Sequence, residues 1–232
     1  MKIFVTLVLF ATFCPSSQAM NLGESRADVR SLITDAQATR QRFTNAELNS
    51  WINEGQRIAD AKTWCTYKAV TFRVTMGTTY YALPDDFIQV SRVTRDFLSL
   101  PEMTPAGLDG RSAEWENMSG LPTYYFINFS SRTKIGFAPF PMTSSDEANI
   151  KVEYVGFSSP LVNDSDNIFS GISEFAPYSF AVAYYSAYKA SIVDERNDKA
   201  KIFLDSFTSL TTLMKDQCTQ RMNYRPQMVG KQ

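Results

Sequence analysis

Within one stretch of this chain the spacing of the apolar residues changes from that of a helix to that of a strand, and this change decides the fold class. Residues 44–76 read TNAELNSWINEGQRIADAKTWCTYKAVTFRVTM. Leu48, Ile52 and Ala59 recur at the spacing of one helix face, whereas residues 66–76 alternate between apolar and polar side chains. An amphipathic helix that leads into a half-buried strand indicates an α+β protein.

Two helices are predicted before the first strand. Thr44 and Glu47 have the spacing of a capping box, in which each side chain bonds the other residue's backbone N–H, so the second helix is predicted to start there. An earlier helix is predicted over residues 25–36, with Ser25 and Asp28 at its start. The short polar link between the two helices favours an antiparallel pair.

The middle of the chain has the pattern of about six strands. A turn at residues 77–79 is predicted to return the first strand as a hairpin through residues 80–83. Residues 99–121 contain several prolines and glycines and are predicted to be irregular. The further predicted strands cover residues 87–97, 124–129, 134–140 and 150–157.

The helical period returns near the C-terminus. Residues 180–192 form an apolar pattern wide enough for a helix buried on more than one side, and residues 201–221 form a second helix. The predicted fold is therefore α+β: an antiparallel helical bundle with an inserted antiparallel β-sheet or small β-sandwich, and an extended C-terminal tail. The predicted divisions are a helical bundle from residues 20–64 and 172–221, a β domain from residues 65–171, and a C-terminal arm from residues 222–232.

Composition excludes most familiar catalytic chemistry. The 232 residues include no histidine, which removes His-based triads, zinc sites and general bases. The three cysteines lack CxxC spacing, and no glycine-rich phosphate loop is present. The formal net charge of −1 argues against a surface built to grip nucleic-acid phosphates. The sequence therefore predicts no cofactor and no metal.

Carboxylates are the remaining candidates for acid–base catalysis. Acidic neighbours in loops are common for solubility, and Asp is favoured in turns, so these pairs are interpreted as structural rather than catalytic. The stretch 163–167 has oxygen ligands at alternate positions but lacks the glycine and distant glutamate of a calcium loop, so it is interpreted as a turn. The pairs are Asp85 with Asp86, Glu114 with Glu116, and Asp164 with Asp166.

An aromatic group stands on the first C-terminal helix. At helical spacing such a group is typical of a core or of an interface between subunits, more than of a ligand groove. Its members are Tyr178, Phe180, Tyr184, Tyr185 and Tyr188. The chain is thus predicted not to be an enzyme, with paired-carboxylate catalysis as a minor alternative.

The first 19 residues admit two interpretations. A basic Lys2, an apolar run and small residues up to Ala19 have the pattern of a secretory signal peptide, and the run is too short to span a bilayer. Alternatively, translation starts at Met20 and residues 1–19 are an upstream extension. In an exported protein Cys65 and Cys218 would be free to pair, whereas in the cytoplasm they would be buried thiols, so the sequence leaves their pairing open.

Several local phrases resemble the head–tail adaptor (head-to-tail connector) proteins of tailed bacteriophages. The resemblance covers about residues 20–220, and the hairpin-like phrase GTTYYALPDDF is its most specific part. The phrases are NAELNSWINEGQR at 45–57, TWC at 63–65, GTTYYALPDDF at 77–87, VSRV at 90–93, GLPTYY at 120–125 and IGFAPFP at 135–141.

The resemblance implies a structural virion protein and no catalysis. It implies a homo-oligomeric ring of about twelve copies between the portal and the tail or nozzle proteins, with DNA passing through without sequence-specific binding. It also favours Met20 as the start, assembly in the host cytoplasm and no membrane association. The C-terminal arm would reach the portal, with Tyr224, Arg225, Met228 and Val229 as its binding residues. The alternative is a secreted or periplasmic β-rich binding module.

Overall fold

The computed structural model describes residues 19–35, 41–128, 133–141, 143 and 148–223. The helices are α1 (Leu22–Leu32), α2 (Asn45–Thr63), α3 (Pro105–Asp109), α4 (Phe180–Val193) and α5 (Asn197–Asn223). The strands are β1 (Tyr67–Val74), β2 (Tyr80–Ala82), β3 (Phe87–Arg95), β4 (Leu98–Leu100), β5 (Tyr124–Ile127), β6 (Lys134–Ala138) and β7 (Ala148–Gly156). These strands pair antiparallel, which confirms the predicted α+β class.

Capping boxes set the starts of both N-terminal helices. The Glu47 backbone N–H donates to Thr44 Oγ1 at 3.2 Å and the Thr44 N–H donates to Glu47 Oε2 at 2.8 Å, so the predicted cap of α2 is confirmed. The predicted start of α1 at Ser25 is wrong. Asn21 and Glu24 form the same reciprocal cap before it, and Ser25 lies fully buried inside the helix.

The four long helices share one apolar core. Helix α4 lies at its centre, with Val182, Ala183 and Ala187 fully buried and contacts to α1, α2 and α5. This burial on several sides is the physical consequence of the wide apolar pattern in its sequence. Helix α5 begins at Asn197, four residues before the predicted start, and buries one stripe that includes Phe207 and Met214.

The predicted β1–β2 hairpin is wrong. Strand β1 belongs to a four-stranded sheet of order β1-β7-β3-β4, whereas β2 belongs to a three-stranded sheet of order β2-β6-β5. Strand β7 pairs with β1 over the full length of β1, while a hairpin with the three residues of β2 would leave most of β1 unpaired. The turn at Gly77 therefore carries the chain from one sheet to the other.

The two sheets share a core. The four-stranded sheet contributes Val74, Val93, Ile150 and Val152, and the three-stranded sheet contributes buried side chains that include Ile135. A separate small cluster lies beside this core and is formed by Leu108, Trp115, Phe126 and Ala138.

The segment predicted as irregular is partly regular. Residues 99–121 contain the end of β4, helix α3 and a 3₁₀ turn at Trp115–Asn117. Thr104 caps α3 by accepting the Gly107 N–H at 3.1 Å, and Pro105 occupies the first helical position, where its missing donor costs nothing. Local capping thus gives a short helix to a stretch whose glycines and prolines predict a loop.

Candidate assembly surfaces

The sequence-predicted arm lies mostly outside the described residues. Tyr224, Arg225, Met228 and Val229 are all beyond Asn223, where the described part of α5 ends. Met222, predicted to belong to the arm, is helical, so the boundary of the arm moves by two residues.

The C-terminal part of α5 is covalently anchored. Cys218 in α5 and Cys65, just after α2, form a disulfide with a Cα–Cα distance of 5.8 Å. Both cysteines are buried. The bond closes a sequence separation of 153 residues and holds the C-terminal part of α5 against the end of α2.

The buried Asp60 carboxylate forms hydrogen bonds with both segments that connect the helices to the sheets. Asp60 in α2 accepts from Thr66 Oγ1 at 2.8 Å, next to the first connection. It also accepts from the Ser158 backbone N–H at 2.7 Å and from Ser158 Oγ at 3.1 Å, next to the second connection. Burial raises the pKa of Asp60, while the hydrogen bonds from Ser158 and Thr66 oppose that shift.

A buried ion pair closes the loop between α1 and α2. Arg30 Nη1 contacts Asp35 Oδ2 at 2.9 Å, and both side chains are almost fully buried. Asp35 also accepts the Arg42 backbone N–H at 2.8 Å, and the Arg42 guanidinium pairs with Asp194 beyond α4. The network therefore joins the connection between α1 and α2 to the connection between α4 and α5.

The predicted acidic pairs have structural partners. Asp86 accepts from Lys68 Nζ and from the Tyr154 hydroxyl at 3.0 Å; burial, followed by this bond, raises the pKa of Tyr154 to about 12. Asp166 accepts the backbone N–H groups of Val162 and Asn163, which lower the pKa of Asp166. These bonds make residues 163–167 the predicted turn.

The remaining acidic candidates are at the surface. Asp164 pairs with Arg26 at 2.6 Å and fastens the turn to α1, while Glu114 and Glu116 are exposed around the Trp115 turn. Across the described ranges, no group of three or more Cys, Asp and Glu residues is placed to hold a metal ion. No helix in the described part of the chain has the length and apolar character needed to cross a membrane.

The aromatic group of α4 divides between core and surface. Tyr185 is buried and its hydroxyl donates to Glu54 Oε1 at 2.8 Å. Phe180 and Tyr184 are half-buried and line an open groove with Leu210 of α5. This groove, the α4–α5 groove, has apolar side chains along one part of its lining and Asp205, Ser206 and Ser209 of α5 along another.

The hairpin between β3 and β4 ends in an exposed aromatic residue. Asp96 and Phe97 form the turn with φ values of 46° and 70°, and the Phe97 side chain is 98% exposed. The predicted strand over residues 87–97 does not contain this turn, because a turn with both central residues at positive φ normally carries Asn or Asp followed by Gly, and Phe97 stands where the Gly is expected. The one available signal was the polar pair Arg95-Asp96, which interrupts the alternation.

A small pocket beside α3 has an apolar lining and a basic edge. Its volume is about 240 Å³, and Leu108, Trp115 and Pro139 are among its lining residues. Arg111 stacks over the Tyr124 ring at 5.1 Å from the centroid and donates to the Tyr124 hydroxyl at 2.6 Å. We name it the Arg111 pocket.

Comparison with known families finds a match over most of the chain. The family model described as SU10 adaptor protein matches residues 20–230, which is most of the chain. No curated protein matches the chain.

Proposed function

The chain belongs to the SU10 adaptor protein family, a family of phage head–tail adaptors, and from that premise we propose that it forms a ring joining the portal to the tail of a tailed bacteriophage. The family match over residues 20–230 carries the proposal. The ring has about twelve copies, and closed cyclic symmetry lets one small chain surround a central channel. DNA passes through that channel without sequence-specific binding.

The proposal assigns different tasks to different parts of the chain. The helical bundle, residues 20–64 and 172–221, packs subunit against subunit, and the β domain, residues 65–171, faces the tail or nozzle proteins. The open α4–α5 groove supports the first assignment, because an apolar surface between helices gains stability when a neighbour covers it. Asp60 holds the two parts together through Thr66 and Ser158, which suits a component that joins two larger assemblies.

The C-terminal arm is proposed to dock on the portal. Tyr224, Met228 and Val229 provide apolar anchors and Arg225 a cation. A segment this short buries too little apolar area to fold alone, so docking supplies the partner surface that it needs. The anchored end of α5 supports this role, because it fixes the point from which the arm extends.

The proposal includes no catalytic role. The described partners of Asp86, Asp164 and Asp166 are lysine, tyrosine, arginine and backbone groups that hold loops in place. Their replacement is therefore expected to change stability or assembly. The protein is proposed to reside in the virion after assembly in the host cytoplasm, with Met20 as its start. Cys65 and Cys218 are then thiols during assembly, and their disulfide forms after release from the reducing cytoplasm. Mass spectrometry of the N-terminus in virions tests that start.

Electron microscopy of the full chain mixed with its cognate portal tests the function. We expect a ring of this chain stacked on the portal ring. Failure of the folded protein to bind the portal would contradict the proposal.

A pair of truncations tests the arm. A chain ending at Asn223 should keep the thermal unfolding of the wild type but dissociate from portal-bearing heads. A chain ending at Gly230 keeps Tyr224, Met228 and Val229 and is the matched control, which should remain attached. Equal attachment of the two truncated chains would eliminate the arm as a docking element.

A further inference from the structure

The turn of the β3–β4 hairpin has a backbone that its residues do not favour. Asp96 and Phe97 both have positive φ, a region in which a side chain crowds the backbone and which glycine occupies freely. A bulky residue such as Phe is a genuine outlier there. Unfavourable backbone of this kind persists only where the surrounding structure holds it in place, and it clusters at functional sites.

The side chains at this turn form an apolar projection. Phe97 is 98% exposed, and its neighbour Leu98 is 60% exposed. Leu98 lies two residues before the buried Leu100, so the two side chains are on the same face of β4. That face is therefore covered at Leu100 and exposed at Leu98. The Arg95 guanidinium donates to the Pro122 carbonyl and fixes the hairpin to the adjacent loop. We name residues 95–98 the hairpin tip.

The Arg111 pocket has the complementary chemistry. Its volume of about 240 Å³ is lined by apolar groups of Leu108, Trp115 and Pro139, which suits a phenyl ring. Arg111 forms no ion pair within the described residues, although it is held over Tyr124. At the hairpin tip, Asp96 lies next to the aromatic ring; its carboxylate contacts Arg95 Nε at a long 3.9 Å, and its side chain stays 74% exposed.

We propose that the hairpin tip of one copy docks in the Arg111 pocket of a neighbouring copy. Phe97 enters the apolar pocket and the Asp96 carboxylate pairs with the Arg111 guanidinium. A tip-to-pocket contact that the same two copies do not exchange in both directions is head-to-tail, and repetition of such a contact around an axis produces a ring. This inference rests on the proposed ring and identifies one of the contacts that form it.

The contact is an anchor rather than a complete interface. A buried Phe contributes about 150–250 Å², whereas a stable interface needs about 800 Å² from each partner. The remaining area is available on the α4–α5 groove, where Phe180, Tyr184 and Leu210 are open. Anchors of this kind dominate the free energy of association although they cover a small part of the area.

The substitution Phe97→Gly separates docking from folding. Glycine relieves the positive φ, so the variant should unfold at the same temperature as the wild type or higher. Its rings on the cognate portal, measured by native mass spectrometry, should require a protein concentration about tenfold higher or more, as for removal of an interface anchor. Val162→Ala, at a position 74% exposed outside the tip and the pocket, is the control and should assemble normally.

A charge exchange identifies the partner surface. Asp96→Arg and Arg111→Asp should each weaken ring formation, and the chain carrying both changes should recover it, because the ion pair is restored with reversed signs. Circular dichroism of each variant checks that Arg111→Asp leaves the fold intact.

Three results would overturn this inference. Rings of Phe97→Gly at wild-type concentrations would show that the tip is not an anchor, and failure of the doubly changed chain to recover would show that Arg111 is not its partner. Normal rings that no longer bind tail proteins would assign the tip to the tail. These results leave the proposed function standing, whereas a wild-type chain that forms no ring on the portal would overturn both.

Discussion

The helical region and the sheet region achieve their stability in different ways. The four long helices bury their apolar faces in one core, which a disulfide and a buried ion pair join across distant parts of the chain. The sheet region divides its apolar side chains between two smaller cores, and it is there that Phe97 is left outside both. The helical region thus has strong cross-links, whereas the sheet region has the exposed Phe97, whose backbone conformation is unfavourable.

The two regions also take their core residues from different parts of the chain. The helical core takes residues from both ends of the chain, Val29 and Leu48 on one side and Phe207 and Met214 on the other. The sheet cores take theirs from the segment between. The helical region therefore forms only when the ends meet, and its cross-links are the places at which it is most sensitive to substitution.

The largest effect is expected from Asp35→Ala. The change leaves the buried Arg30 guanidinium without its carboxylate, which costs about 3–5 kcal/mol of unfolding free energy. Urea unfolding measures the loss. Asp164→Ala, which removes an exposed partner of Arg26, should cost no more than about 1 kcal/mol. Equal effects of the two substitutions would show that the buried network is not a special support of the helical region.

Loss of the disulfide should follow in size. Replacing Cys65 and Cys218 together by Ala removes a constraint on the unfolded chain and is expected to cost about 2–5 kcal/mol. The measurement is urea unfolding with and without a reductant. The reductant should destabilise the wild type by a similar amount and leave the double variant unchanged. A wild type insensitive to reductant would contradict the role given to this bond.

A smaller effect is expected from Gly136→Ala in the sheet region. A Cβ at this position would lie 2.4 Å from Phe126 Cζ, and Phe126 is fully buried, so the substitution overpacks the sheet region by about 1–3 kcal/mol. Thermal and urea unfolding measure it. At Gly110 the nearest atom to an added Cβ is 3.6 Å away, and Ala there should be tolerated. Tolerance at both positions would mean that the smaller cores are loosely packed.

The smallest effect is expected from Thr44→Ala. The substitution removes the side-chain acceptor of the Glu47 N–H and should cost about 0.5–2 kcal/mol. Thr212→Ala is the control, because the exposed Thr212 hydroxyl bonds the Thr208 carbonyl inside α5, where alanine is an equal or better helix former. An unchanged melting temperature for Thr44→Ala would show that the cap does not stabilise α2.

Sequence patterns predicted the positions of helices and strands better than they predicted which strands pair with each other. The helical period located α2, α4 and α5, and the Thr44 capping box fixed a boundary, because both signals are local. The separation of β1 from β2 was missed, since strand pairing depends on β7, which lies about 75 residues further along the chain.

The candidate surfaces were predictable only in part. The arm is predicted from its lack of periodicity, and its residues beyond Asn223 lie outside the described ranges. The sequence contains almost no pattern that predicts the Arg111 pocket, because α3, β5 and β6 together form it. The hairpin tip is equally hard to predict, because Phe97 fits the pattern of an ordinary strand residue. Surfaces of this kind depend on which side chains remain uncovered after packing, which a local pattern does not contain.

The disulfide also determines how the chain carries mechanical load. Tension applied to the arm enters α5 and reaches the end of α2 through the Cys218–Cys65 bond, bypassing the 153-residue separation between the two cysteines. Helix α4 lies within that bypassed segment and carries no covalent tension. A pull between the portal and a tail protein bound to the sheet region would therefore run from α5 through the disulfide to Cys65 and into β1, which begins two residues later.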